Sequence, residues 1–298
     1  MRFSFWPAPM QPWADVLALA KHIEATGWDG LWYADHFMPN APDTSTPWPE
    51  CWSTLAALAA AVPRVRLGPL VTGNTYRHPA VLAKMAATID HISGGRLVLG
   101  LGAGWQENEH QQYGIPFYTT AERLARLDEA CQLIKGLYAP GKFSFAGRFY
   151  QLDEAALEPK PAQANLPLLI GGGGAKVTLR ITAQYADEWN VWGTPETLRE
   201  KIAILNGHCA RLGRDPKTIH KTAVALLFMN TDTAANEAMR KRPLQQAAII
   251  GTPDEVRATV AEYAAAGVDE LIVPDFTLGP MPQKLQALDT FIRRVAGR

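Results

Sequence analysis

Short apolar runs alternate with longer amphipathic stretches along the whole chain. Arg2–Trp6 (RFSFW) predicts a first strand, and the helical spacing from about Trp13 to Thr26 predicts a helix that Gly27 ends. A second strand, ending at Ala34 (DGLWYA), is followed by a Pro-rich loop and a helix from about Glu50 to Ala61 that stops before Pro63. A third strand (VRLGPLVT) ends at Thr72. Pro79 suits the first turn of the helix that runs to Ser93, and Gly94-Gly95 turns the chain into a fourth strand, RLVLGLG.

The middle is less regular. Helical stretches reach about Leu137, and GKFSFAGRFYQL reads as a hairpin inserted before the next barrel strand. LPLLIGGGG is a fifth strand running into a glycine-rich turn, followed by a helix to Tyr185. DEWNVW is the sixth strand, Thr194-Pro195-Glu196 caps the next long helix, and KTAVALLFM, ending at Met229, is the seventh. Thr252 and Pro253 open another helix, Gly267 closes it, and DELIVPDF is the eighth strand.

This βαβα alternation predicts an α/β fold, a (β/α)8 TIM barrel with short insertions, over a single domain spanning residues 1–298. An open doubly wound sheet is the rival architecture, but the G-x-G-x-x-G that would follow its first strand is missing, and Phe5-Trp6-Pro7 stands there instead. The 29 basic and 29 acidic residues balance, so no global charge recruits nucleic acid or an anionic membrane. Cys51, Cys131 and Cys209 lie far apart without a C-x-x-C spacing, which suits free thiols in a reducing compartment. No leader-type apolar segment opens the chain and no apolar run approaches roughly 18 residues. The expectation is a cytoplasmic protein acting on a small molecule. His78, His91 and His110 make no ligand spacing, so no metal is expected.

In a barrel, chemistry gathers at the C-terminal strand ends. There the sequence places Trp6, Asp35-His36, Thr72-Gly73-Asn74, Gly102-Ala103-Gly104 with Asn108, Gly171–Gly174, Asn190–Trp192 and Asp275. His36 is either a proton donor and acceptor for a reacting group or a structural histidine bonded to loop backbone. Asp35 reads as a backbone cap or a cofactor hydrogen-bond acceptor. Gly102 and Gly104 either admit a flat ring close to the backbone or serve a tight turn. The amides of Gly171, Gly172, Gly173 and Gly174, ahead of a helix, suit a cofactor phosphate. Trp6, Trp105 and Trp192 would border the mouth as a substrate pocket.

The segments WYADHF, RLGPLVTGNTYRHPAVLAKMAATIDHISGGRLVLGLGAGW and PLLIGGGGAKVTLRITAQYADEWN resemble the bacterial luciferase-like family of FMN monooxygenases and deazaflavin-dependent oxidoreductases. The most specific part is the order strand, T-G-x-x-x-R-x-P, helix, S-G-G-R, G-x-G. The resemblance implies that His36 lies beside the reactive ring. It implies cofactor hydrogen bonds from Thr72 and Asn108, and a non-prolyl cis peptide within Pro69-Leu70-Val71 behind the ring. Gly102 and Gly104 would flank the ring, Gly171–Gly174 would hold the tail phosphate, and the protein would be a homodimer. The sugar-phosphate dehydrogenase branch carries an acidic residue directly after the G-x-G, where this chain has Trp105, which points to a bulkier or more apolar substrate.

Three functional readings follow. One is an oxidoreductase passing a hydride between reduced coenzyme F420 and an unsaturated or carbonyl substrate, with His36 handling the proton. The second is an FMN monooxygenase that activates dioxygen. The third is a non-catalytic flavin-binding relative.

Overall fold

The computed structural model describes residues 1–298. In chain order the elements begin β1 (Arg2–Trp6), α1 (Trp13–Ala25), β2 (Gly30–Tyr33), α2 (Cys51–Ala61), β3 (Arg66–Pro69), β4 (Thr72–Gly73), α3 (Pro79–Ser93) and β5 (Leu99–Gly102). They continue with α4 (Glu107–Tyr113), α5 (Thr120–Tyr138), β6 (Phe143–Ala146), β7 (Gln151–Ala155), β8 (Leu168–Gly171), α6 (Thr178–Tyr185), β9 (Glu188–Trp192) and α7 (Pro195–Arg211). The last are β10 (His220–Val224), β11 (Leu226–Met229), α8 (Thr233–Arg240), β12 (Ala248–Gly251), α9 (Pro253–Ala265), β13 (Glu270–Pro274) and α10 (Met281–Thr290).

One parallel sheet of nine segments runs β3-β2-β1-β13-β10-β9-β8-β5-β4. β3 and β4 are two halves of a single strand, interrupted at the cis Leu70–Val71 peptide bond, so the nine segments make eight strands. β3 pairs with β2, β4 pairs with β5, and a bridge from Leu67 to Leu97 closes the ring as a TIM barrel. β2, β5 and β13 are buried at every position because helices cover one face and the barrel interior the other. In α1, Val16, Leu19, Ala20 and Ile23 form the buried stripe that meets the strands. Packing between strands and helices makes the main core, while Trp6, Trp32, Ala34, Leu70, Val98, Leu169, Val224 and Ile272 form a separate small core. No helix is long and apolar enough to cross a membrane.

The predicted hairpin is present as antiparallel β6 and β7, and Asn74 donates from Nδ2 to the Tyr150 hydroxyl (3.1 Å), tying this insertion to the barrel rim. The predicted seventh strand divides at Ala225. Its first half, β10, stays in the barrel between β9 and β13, whereas β11 leaves to pair with β12, a strand that the sequence pattern does not predict.

The end of the barrel opposite the strand C-termini is plugged by charge. Arg66 donates from Nη2 to both oxygens of Glu188 (2.5 and 2.6 Å) and from Nη1 to Glu270 (3.2 Å). Trp32 Nε1 donates to Glu270 (3.0 Å), and His220 Nε2 lies 3.2 Å from the same carboxylate. Ligand-type atoms of Glu188, His220 and Glu270 lie within 4.8 Å of one another. The Arg66 guanidinium already bridges both carboxylates and supplies their counter-charge, so the cluster reads as an ionic plug of the barrel floor.

Candidate active site

A cleft of about 610 Å³ opens at the C-terminal ends of the strands. Trp6, His36, Leu70, Val71, Thr72, Gly102, Gly104, Trp105, Gly171–Gly174 and Trp192 line it, with Tyr76 and Gln246 beside them. No Asp, Glu, Lys or Arg side chain lies in this lining.

The floor is built around Val71. A Cβ on Gly102 would stand 2.9 Å from Val71 Cγ2, and one on Gly171 would stand 2.8 Å from the same atom. These glycines therefore make room for Val71, whose apolar side chain lines the cleft. Gly104 serves a turn, with φ +82°, and packs against Thr75. The expectation that Gly102 and Gly104 directly flank a ring is refined accordingly. Gly102→Ala is expected to destabilise the fold by about 1–3 kcal/mol through overpacking, with recovery in the double variant carrying Val71→Ala. Thermal melts of the three variants read this, and an additive double variant would refute the Val71 contact as the cause.

Only part of the glycine turn offers free donors. The Gly172 amide is committed to the Asn190 carbonyl (2.9 Å), whereas Gly173 and Gly174 amides bond no backbone carbonyl. Thr178 crowds Gly172 and Gly174, and Val191 with Lys201 crowds Gly173, so small residues are also a packing requirement here. The Lys201 stem passes 3.6 Å from where a Gly173 Cβ would stand, and its ammonium makes no ion pair.

His36 sits on the cleft wall, with its ring edge-on to the exposed Trp105 at 5.4 Å between centroids. Its Nδ1 lies 2.8 Å from Oε1 of the fully buried Glu109, whose Oε2 accepts from the Phe37 amide at 2.7 Å. The Tyr76 hydroxyl donates to the same Oε1. Burial alone would raise the Glu109 pKa, but hydrogen bonds and charge from His36, the Phe37 amide and Tyr76 outweigh it and hold the group below the ordinary glutamate value. Burial and the Glu109 carboxylate push the Tyr76 phenol well up, so it stays protonated as a donor. Trp6 and Trp192 close the far wall, 5.9 Å apart.

Two expected cofactor ligands lie elsewhere. Asp35 is buried away from the cleft and bound by Arg77 through Nη1 (2.7 Å) and Nη2 (3.2 Å). Burial raises its pKa, with Arg77 and Thr72 opposing that rise. Consecutive residues at a strand end face opposite ways, so His36 takes the cleft and Asp35 the helix side. Asn108 donates to the Pro39 carbonyl (3.0 Å) and accepts from the Glu109 amide (2.9 Å), pinning the loop that carries His36. Asp275 is likewise structural, held by Lys284 (2.6 Å) and Gln11 (2.9 Å). Thr72 does line the cleft, accepting from Trp52 Nε1 at 2.9 Å.

The sequence reading missed Glu109, Tyr76, Arg77 and Gln246. Arg77 and Tyr76 lie inside the T-G-x-x-x-R-x-P stretch, and the structure gives that motif a physical basis. Gly73 leaves room for the Tyr76 ring, Arg77 joins Asp35 to the α2 cap Glu50 (2.6 Å), and Pro79 starts α3.

A family model described as luciferase-like monooxygenase matches residues 1–244. A pyrimidine monooxygenase of Stutzerimonas stutzeri is 32% identical over 225 residues, 73% of this chain and 59% of that protein. An F420-dependent glucose-6-phosphate dehydrogenase of Kineococcus radiotolerans is 38% identical over 161 residues, 53% of this chain and 47% of that protein. The chain spans about half the length of the curated relatives it matches. An F420-dependent secondary alcohol dehydrogenase, solved with an F420–acetone adduct, shares the fold with a TM-score of 0.85 at 21% identity, over 99% of both chains.

Proposed function

The chain belongs to the luciferase-like monooxygenase family, and on that premise we propose that it is an oxidoreductase passing a hydride between coenzyme F420 and an uncharged organic substrate. The observation that carries this reading is the cleft itself. It has an apolar floor at Val71, aromatic walls and one titratable imidazole, with unpaired amides at one end and, outside the lining, the Lys201 stem beside Gly173. Those features fit a flat cofactor with a phosphorylated tail. Leu70, Val71, Thr72, Gly102 and Gly171 would hold the ring, while the amides of Gly173 and Gly174 with Lys201 would hold the phosphate. The deazaflavin supplies hydride transfer at C5, and the chain supplies binding, orientation and a proton at His36. A lining without charged side chains favours a neutral alcohol or carbonyl over a sugar phosphate, in line with Trp105 after the G-x-G.

The similarity to a pyrimidine monooxygenase over 73% of this chain favours an FMN monooxygenase as the second reading. Titration of the chain with F420 and with FMN, read by absorbance and fluorescence, separates the two. F420 is expected to bind at micromolar concentration or tighter, and FMN binding with none of F420 would overturn the first reading. Lys201→Met is expected to weaken binding about tenfold, the scale of one hydrogen bond to a charged group. Unchanged affinity would remove Lys201 from the phosphate site. The three free, buried thiols support a reducing, cytoplasmic setting. Exposed Ala57, Ala60, Val81 and Ile92 on α2 and α3 support a homodimer, which light scattering tests.

A further inference from the structure

His36 has one nitrogen tied and one free. Nδ1 faces Glu109 at 2.8 Å, while Nε2, on the cleft side, has no partner in the chain. Of the groups around the ring, Trp105 stands edge-on, Asp35 is turned away onto Arg77, and His110 is bound to Thr75 and the Gln106 carbonyl. That leaves Glu109 and Tyr76 as the polar contacts of His36.

Glu109 accepts the Phe37 amide at Oε2 and the Tyr76 hydroxyl at Oε1, and those donors keep it a carboxylate. A carboxylate only accepts hydrogen bonds, so the hydrogen shared with His36 belongs to Nδ1. We propose that Glu109, steadied by the Tyr76 hydroxyl, is a positioning residue that fixes His36 as the Nδ1–H tautomer, so that Nε2 presents a lone pair to an alcohol hydroxyl in the cleft. Only the identity of the substrate group rests on the function proposed above. In the oxidative direction the hydroxyl O–H breaks and its proton passes to Nε2. The oxygen's electron pair forms the carbonyl while the carbinol hydrogen leaves with its own pair to the oxidised deazaflavin. In reduction the doubly protonated imidazole returns that proton to the carbonyl oxygen.

The test needs no cofactor. Long-range ¹H–¹⁵N correlation spectra of the labelled chain, recorded with His36 neutral and assigned by its loss in His36→Asn, are expected to show a pyrrole-type Nδ1 and a pyridine-type Nε2. In Glu109→Gln the Phe37 amide requires an acceptor at the Oε2 position, so the new amide turns its NH2 toward His36 and the tautomer should invert. With F420 and an active alcohol, the same variant should lose kcat on the order of 10²–10⁴-fold, the scale of a mis-set imidazole, while cofactor affinity is retained. A wild-type Nε2–H tautomer, or Glu109→Gln that folds and keeps Nδ1–H, overturns the proposal. If Glu109→Gln fails to fold, the wild-type spectrum decides, together with Tyr76→Phe, which should keep Nδ1–H. Absence of F420 turnover beside an Nδ1–H spectrum counts against the proposed function alone, and an Nε2–H spectrum beside normal turnover counts against the positioning role of Glu109 alone.

Discussion

Arg66→Met is expected to destabilise the fold by about 3–5 kcal/mol, the range for breaking a buried ion pair on one side. For a chain of this size that lowers the melting temperature by roughly 5–8 °C. Glu188 and Glu270 are buried, and Arg66 is the cation that bonds both. Methionine fills a similar volume but leaves Glu188 without a side-chain donor and Glu270 with Trp32 and His220. Packing loss alone would be smaller, so Arg66→Lys, which keeps the charge and loses the fork, should fall between the two. A methionine variant melting within 2 °C of the wild type would remove the ionic plug as a source of stability.

The pH dependence gives a second reading with a definite sign. Burial would raise the Glu270 pKa, but Arg66 and His220 outweigh it and hold the group at about 2. A depressed carboxylate contributes stability that is present above its ordinary pKa of about 4.5 and is lost as pH falls toward 2. Glu188 acts in the opposite sense, because burial and the charge of Glu270 raise it, so its contribution fades as pH rises. Without Arg66 both groups are governed by burial. The methionine variant should therefore gain stability relative to the wild type as pH is lowered from 8 to 5. A difference between the two proteins that is flat across that range would contradict the assignment.

The distance along the chain over which each interaction acts explains what the sequence made legible. Buried parallel strands read as apolar runs, and Gly27, Gly94, Pro79 and the Thr252-Pro253 pair mark helix ends through local backbone rules, so the barrel emerged strand by strand. β12 did not, because Ala248–Gly251 is a strand only through β11, and its last residues run directly into the Thr252 cap. The cleft floor at Leu70–Thr72 and the wall at His36 were legible because position at a strand end fixes them. Glu109 was not. It lies 73 residues from His36, in a QENEH segment where Glu107 and Glu109 look alike until the fold leaves the first exposed and buries the second. Arg66 meets carboxylates 122 and 204 residues away, which no local pattern announces. Asp35 and Asn108 were misplaced for the converse reason, since nearness in sequence to a cleft residue says nothing about which way a side chain points.

His36→Ala is expected to lower the rate of alcohol oxidation or carbonyl reduction with F420 by about 10²–10⁴-fold, the usual worth of a positioned general acid–base group. Cofactor affinity should change by less than about threefold, because His36 forms the cleft wall and the floor is made by Val71 and its glycines. The two quantities separate chemistry from binding. If the imidazole only shaped the pocket, KM would rise with kcat nearly unchanged, and His36→Phe, which keeps a planar ring edge-on to Trp105, would restore activity. If it moves a proton, His36→Phe stays as slow as the alanine variant, and added imidazole restores part of the rate in alanine alone, where the vacated space opens onto the cleft. The loss should also depend on the substrate. No other titratable side chain lines the cleft except the Tyr76 phenol, which burial and Glu109 keep protonated and committed to that carboxylate. A substrate whose oxygen must gain or lose a proton therefore has no alternative partner in the chain. Substrates reduced at a carbon–carbon double bond can take their proton from water at the open mouth, so their rates should fall far less. Equal losses for both classes would show that His36 acts through the cofactor's environment and not through the substrate oxygen.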